Sequence, residues 1–230
     1  MQVTAIILAA GKGERMGLGF NKVFATLQGK PVLAHSLMLF EQTSEIHQII
    51  VVAAKGELKT VKKIAAEYHI SKATNFVEGG STRFRSVAAA LPYISCTATL
   101  VAVHDGARPL LKTEDLQAVL RAAEKKDGAI LAAPVQDTIK EEQLIAGQPS
   151  HLIGNTLNRN ILWRAFTPQV FPVDLFLDAY TRLDKNVTDD AALVESLGAE
   201  VLIVPGDVTN IKITTPMDLK LAELLLAERG

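Results

Sequence analysis

The chain has 230 residues, 48% of them hydrophobic, with 24 basic and 25 acidic side chains, which suits one large α/β domain with a substantial core. Charges that nearly cancel exclude a chain drawn onto nucleic acid or an anionic membrane by its overall field, and favour a small-molecule partner. A single cysteine, Cys96, excludes an internal disulfide framework, argues against a cysteine-built metal site and fits a reducing cytoplasm.

The first apolar run, Val3 to Ala9, has no basic flank ahead of it and breaks into Ala10-Gly11-Lys12-Gly13-Glu14-Arg15-Met16-Gly17, followed by Asn21-Lys22. It reads as a buried strand feeding a loop, and not as a signal peptide. The glycines let backbone N–H groups approach phosphate oxygens where a Cβ would obstruct them. Arg15 and Lys22 add full positive charge, which nucleotidyl transfer requires and a simple cofactor-holding turn does not. An ordinary βα turn with solvated cations has the same pattern.

Further strand-type runs span 48–53, 99–103, 129–133 and 200–204. Helical spacing of apolar residues marks 32–40, 58–68, 86–91, 116–123, 175–183 and 191–197. This alternation predicts a mostly parallel sheet covered by helices, with ligands beyond the carboxyl ends of its strands. No run approaches the roughly 20 apolar residues of a membrane span, so a soluble protein is expected.

Glu78-Gly79-Gly80-Ser81-Thr82-Arg83-Phe84-Arg85-Ser86 either caps a helix or brings backbone and hydroxyls against a base or phosphate. In His104-Asp105-Gly106-Ala107-Arg108-Pro109 a carboxylate stands at a strand's carboxyl end. Asp105 there either caps the turn and pairs with Arg108 or supplies a hard oxygen to Mg²⁺; His104 reads as structural. Between Ile139 and Leu157 the rhythm breaks, and Gly147 and Pro149 suggest a hairpin or arm. Thr209 to Thr214 alternates like a half-buried strand, which puts Lys212 opposite Ile211 and Ile213, toward solvent or an active-site wall. Thr215 and Pro216 open a last helix whose Met217, Leu221, Leu224 and Leu225 are expected to face the sheet. It runs to the end of the given sequence, so a second catalytic domain is not expected.

Together these motifs, with Gly29-Lys30-Pro31-Val32-Leu33, Ala133-Pro134-Val135, Asp137-Thr138, Asn158-Arg159-Asn160, Thr167-Pro168-Gln169, Thr188-Asp189-Asp190 and Asn210 to Thr214, closely resemble the IspD family. These are the 2-C-methyl-D-erythritol 4-phosphate cytidylyltransferases of the non-mevalonate isoprenoid pathway, and the resemblance runs along nearly the whole chain. It implies a Rossmann-like α/β nucleotidyltransferase fold, a single domain over 1–230, and a β-arm at about 138–158 clasping the second subunit of a homodimer. It also implies a Mg²⁺-dependent transfer from CTP to the polyol phosphate with release of pyrophosphate, in the cytoplasm.

By that resemblance Arg15 and Lys22 stabilise the transition state at the α-phosphorus. Ala9, Ala10, Gly11, Gly13, Gly79, Gly80, Ser86 and Ala107 hold CTP and read cytosine, and Asp105 takes Mg²⁺ or the ribose side. Lys212 and Arg159 position the acceptor phosphate with Thr138, Thr167 and Thr188, those matching Thr138 and Arg159 acting across the dimer. The chemistry is consistent with this: a phosphate monoester is largely ionised near neutral pH, so positioning and charge neutralisation replace a general base.

Two departures stand out. Val23 follows Lys22 where many relatives carry Gln, and Thr209 precedes Asn210 where some carry an acid, which puts a second metal carboxylate in doubt. Ribitol-5-phosphate cytidylyltransferases, which share much of the motif set, and a non-catalytic nucleotide-binding homologue stay as alternatives. A dinucleotide oxidoreductase does not, because the second strand ends Val51-Val52-Ala53-Ala54-Lys55 with no acid for the ribose.

Overall fold

A computed structural model describes residues 1–11, 19–143, 151–183 and 187–229. In chain order the elements are β1 (Val3–Ala9), β2 (Thr26–Leu27), β3 (Lys30–Pro31), α1 (Val32–Gln42), β4 (Ile46–Ala53), α2 (Leu58–Glu67), β5 (Ala73–Glu78) and α3 (Arg83–Ala88). They continue with β6 (Leu100–Asp105), α4 (Thr113–Ala123), β7 (Ala129–Pro134), β8 (Lys140–Gln143), β9 (Leu152–Thr156), β10 (Trp163–Pro172), α5 (Val173–Arg182), α6 (Asp190–Glu195), β11 (Leu202–Pro205) and α7 (Pro216–Ala227).

Among the described residues one seven-stranded sheet runs β11-β7-β10-β6-β1-β4-β5. β1, β4, β5 and β6 pair in parallel, as do β7 and β11, whereas β10 lies antiparallel between β6 and β7. The expected mostly parallel sheet is therefore present, with one inverted strand that period and composition do not announce. Pro168 sits where the β10–β7 register is interrupted, between the Ala165–Ala132 and Gln169–Ile130 pairs. A proline lacks the N–H a continuous ladder needs, so its presence disguises the strand. β5 is not announced by the sequence either; Asn75 and Glu78 dilute an edge strand that has a neighbour on one side only.

β1 is buried on both faces, as a central parallel strand must be. Ala5, Ile7 and Ala9 join Leu33, Leu37 and Phe40 of α1 with the inner faces of α2 and α4, while Ile6 turns to the opposite face with Phe176 of α5 and Leu193 of α6. Period two in the strand and three-to-four in the helices thus builds two apolar layers around one sheet.

The C-terminal region differs from expectation in two ways. Residues 209–214 form no strand; they run as irregular chain against the loop after β6, with Ile213 N–H donating to Ala107 O at 2.8 Å. α7 begins as expected, Thr215 and Asp218 forming a reciprocal capping box. However, Met217, Leu221 and Leu224 are exposed, and α7 buries Ala222 with Leu219, Leu225 and Leu226 against Ala25, Leu27, Leu110 and Ile213. The helix docks on this third cluster and not on the sheet, which rotates its buried face. The expected arm is present as an exposed antiparallel hairpin of β8 and β9, whose connecting residues 144–150 lie outside the described ones.

Candidate active site

The carboxyl ends of β1, β4 and β6 finish side by side: Ala9 is level with Ala53, and Leu8 with Asp105. Beyond them lies a cavity of about 650 Å³ lined by Leu8, Ala10, Gly11, Lys22, Val23, Gly80, Ser81, Thr82, Arg83, Ser86, Asp105, Ala107, Lys212 and Thr214. Eight positions singled out from the sequence meet there: Ala10, Gly11, Lys22, Gly80, Ser86, Asp105, Ala107 and Lys212. Ala9 ends β1 just ahead of Ala10, and Gly79 is packed close to Ala10 and Ser86, but neither is part of the lining. Arg15 and Gly13 fall outside the described residues.

The glycine pair has a steric reason. A Cβ on Gly79 would stand 2.7 Å from Ala10 Cβ and 2.9 Å from Ser86 Oγ, and one on Gly80 would stand 2.4 Å from Arg85 Cβ. Thr82 caps α3 through Arg85 N–H, and the Ser86 hydroxyl donates to Thr82 O at 2.8 Å. With its proton spent, Ser86 offers the cavity lone pairs. The stretch caps a helix, and its Gly80, Ser81, Thr82 and Ser86 line the cavity.

Lys22 is delivered by Asn21, whose amide donates to Ala9 O and to Glu57 Oε2, each at 2.8 Å, tying the loop to the end of β1. Lys22 itself is 8% exposed at the cavity wall.

Asp105 is the single carboxylate among the described residues lining the cavity. Its Oδ2 lies 2.9 Å from Lys212 Nζ and 3.4 Å from Arg108 Nε. Burial alone would raise its pKa, but Lys212, Arg83 and Arg108 outweigh that and hold the carboxyl well below the usual range. Lys212 therefore faces the active-site wall, which settles the choice left open by spacing. Arg108 Nη1 donates to Asn210 O at 2.8 Å and stitches the 210–213 segment in place.

Arg83 has no role that its sequence motif alone announces. It lines the cavity and meets Asp190 Oδ2 at 2.5 Å. Asp190 is fully buried; its Oδ1 accepts from Tyr180 at 2.6 Å, and Gln169 Oε1 accepts from its main-chain N–H at 3.0 Å. Burial would lower the Arg83 pKa, yet the Asp190 charge dominates and raises it. The only advance signal was Arg83's place between Gly80 and Ser86.

The residues assigned to the acceptor are less concentrated. Thr138 and Thr188 are exposed, and Arg159 donates to Gln136 O at 2.6 Å at the base of the arm; none of the three lines the cavity. Thr167 departs from its assignment most clearly, because its side chain is buried behind the wall with the hydroxyl engaged by His104 Nδ1 and Asp105 N–H, each at 3.0 Å. Among the described residues no group of three or more His, Cys, Asp or Glu side chains could hold a metal by itself.

A cavity lined by Lys22, Arg83 and Lys212 together with Gly11 and Gly80, at the carboxyl edge of a mostly parallel sheet, places the chain among the α/β nucleotidyltransferases. Comparison with known proteins narrows that class. The family profile described as 2-C-methyl-D-erythritol 4-phosphate cytidylyltransferase matches residues 3–228, and the chain belongs to that family. A protein of that name from Dehalococcoides mccartyi is 44% identical over 225 residues, 98% of this chain and 96% of its own. One from Halalkalibacterium halodurans is 40% identical over 232 residues, 100% of this chain and 99% of its own. The solved 4-diphosphocytidyl-2C-methyl-D-erythritol synthase of Anaerococcus prevotii superposes with a TM-score of 0.83 at 30% identity, covering 98% of each chain.

Proposed function

We propose that this chain transfers the cytidylyl group of CTP to 2-C-methyl-D-erythritol 4-phosphate, yielding CDP-methylerythritol and pyrophosphate for isoprenoid precursor synthesis in the cytoplasm. The observation that carries this reading is the convergence of Gly80, Lys22, Asp105 and Lys212, from four separate segments, on one cavity, in a chain of this family.

A phosphate oxygen of the acceptor forms the new bond to the α-phosphorus of CTP, and the bond from that phosphorus to the β-phosphate bridging oxygen breaks. The attacking monoester is already largely ionised near neutral pH, so the protein needs cations that hold two anions in line. Lys22, with Arg15 of the same loop, serves the α-phosphate; Lys212 and Arg159 serve the acceptor phosphate, with Thr138 and Thr188 beside it. Ser86 supports the choice of base. Its lone pairs suit the N4 amino group of cytosine, whereas uracil presents a carbonyl oxygen there.

The donor set suits Mg²⁺. This ion binds through one or two carboxylates and completes its shell with water and substrate phosphates, and Asp105, held ionised, is one such carboxylate. When bound, Mg²⁺ would neutralise triphosphate charge. Homodimerisation is supported by the arm: Leu152, Ile153, Leu157, Ile161 and Trp163 are exposed along it and at its base, and an isolated two-stranded hairpin is marginal in water.

The test is pyrophosphate release from CTP and Mg²⁺ with methylerythritol phosphate or ribitol 5-phosphate in parallel. Release with methylerythritol phosphate alone is expected. Preference for ribitol phosphate, or silence with both, would overturn the reading.

A further inference from the structure

We propose that Thr167 is a positioning residue for Asp105, oriented by His104, and does not bind the acceptor phosphate. The inference rests on the cytidylyl-transfer reading of the cavity, and the hydrogen-bond polarities carry it.

His104 is fully buried at the end of β6, its ring tilted against Phe40 with centroids 5.1 Å apart. Its Nε2 faces Arg108 O at 3.3 Å. A carbonyl oxygen only accepts, so Nε2 carries the imidazole proton and Nδ1 is left as an acceptor. Nδ1 meets Thr167 Oγ1 at 3.0 Å, which requires the threonine hydroxyl to donate to it. The same oxygen is 3.0 Å from Asp105 N and accepts that N–H. Every polar group in the chain from Arg108 O to Asp105 N–H therefore has one possible direction, and Thr167 has no proton left for a phosphate. A phosphate is an acceptor, so the one useful thing a hydroxyl could give it is already committed.

The main chain of Thr167 has a second attachment. Its carbonyl accepts from Asn210 Nδ2 at 3.0 Å, and Asn210 O accepts from Arg108 Nη1 at 2.8 Å. Thr167 thus joins the two segments that present Asp105 and Lys212, from the side opposite the cavity. Antiparallel β10, inserted between β6 and β7, is what brings a hydroxyl to that position.

The experiment is equilibrium binding of CTP without acceptor, in Mg²⁺ and in EDTA, followed by steady-state kinetics. Loss of a group that orients a metal ligand typically costs about 10–100-fold in metal affinity. Thr167→Val should weaken CTP binding by that factor in Mg²⁺ and leave binding in EDTA close to wild type. Its KM for the acceptor at saturating CTP should stay within about threefold, and Thr167→Ser, which keeps the hydroxyl, should restore the Mg²⁺-dependent affinity. Thr167→Ala removes the same hydroxyl with less steric demand and gives the same reading should the valine variant not fold. Unchanged CTP binding together with a raised acceptor KM would overturn the assignment and return Thr167 to the acceptor. Absence of CTP binding by the wild-type chain would instead overturn the cytidylyl-transfer reading, and this assignment with it.

Discussion

The nucleotide cavity and the arm are built on opposite principles. Around the cavity, Lys22, Asp105, His104, Thr167 and Asp190 are all buried, and each has its place set by a neighbouring strand end or helix cap. Along the arm every residue of β8 and β9 is exposed, and Arg159 and Thr138 sit at its base with solvent around them. One region is finished by intrachain contacts. The other presents exposed apolar side chains and Arg159, with no second layer covering them among the described residues. The contrast teaches that nucleotide binding should be a property of one chain, and acceptor binding a property of two.

The largest expected effect lies inside the cavity. Lys22→Ala or Lys212→Ala should each lower kcat about 10²–10³-fold, the usual cost of removing one preorganised charge from a transition state, with the urea midpoint nearly unchanged. Turnover close to wild type in either variant would remove that residue from the proposed mechanism.

The next prediction concerns stability on the finished side. Burial pushes His104 down to about 4 from its ordinary value of 6.5. The folded state keeps it neutral while the unfolded chain takes up a proton below about pH 6.5, so about 3 kcal/mol of stability is present above that pH and lost as pH falls to 4. Urea unfolding at pH 7, 5.5 and 4.5 should show this decline in the wild type and a flatter one in His104→Gln. Equal slopes would place the loss elsewhere. Asp105, held low by its cations, stays ionised throughout this range, so an acid limb of activity near pH 6 is expected from the acceptor phosphate.

The arm offers the direct test of the comparison. Ile153→Lys combined with Ile161→Lys places charge on two exposed apolar positions, where an interface that buries them would have to desolvate each new ammonium group. Sedimentation velocity should show a shift from dimer to monomer, turnover should fall about tenfold or more, and CTP binding should be retained. Equal loss of CTP binding would mean the two regions are not separable. The smallest effect belongs to the cradle. Gly80→Ala brings a Cβ to 2.4 Å from Arg85 Cβ and 3.1 Å from its main-chain carbon, atoms held by the first turn of α3; overpacking of this kind costs about 1–3 kcal/mol, and moving that turn should show as a several-fold rise in KM for CTP.

What the sequence determined alone was whatever repeats at short range or is written in residue type. Five strands and the helices between them follow from periods of two and of three to four. Thr215 and Pro216 marked the start of α7, and the break after Ile139 marked the β8–β9 hairpin. Tertiary structure decided what depends on distant pairing. β10 takes its place between β6 and β7 because both need a partner there, although Pro168 argues locally against a strand. Lys212 faces Asp105 because the 210–213 segment is laid along the loop after β6, and Met217, Leu221 and Leu224 stay exposed because α7 packs beside β2 instead of on the sheet. Thr167 turns to His104 and Asp105 for the same reason. A side chain's type states what it can donate or accept, but only the strand lying next to it states to whom.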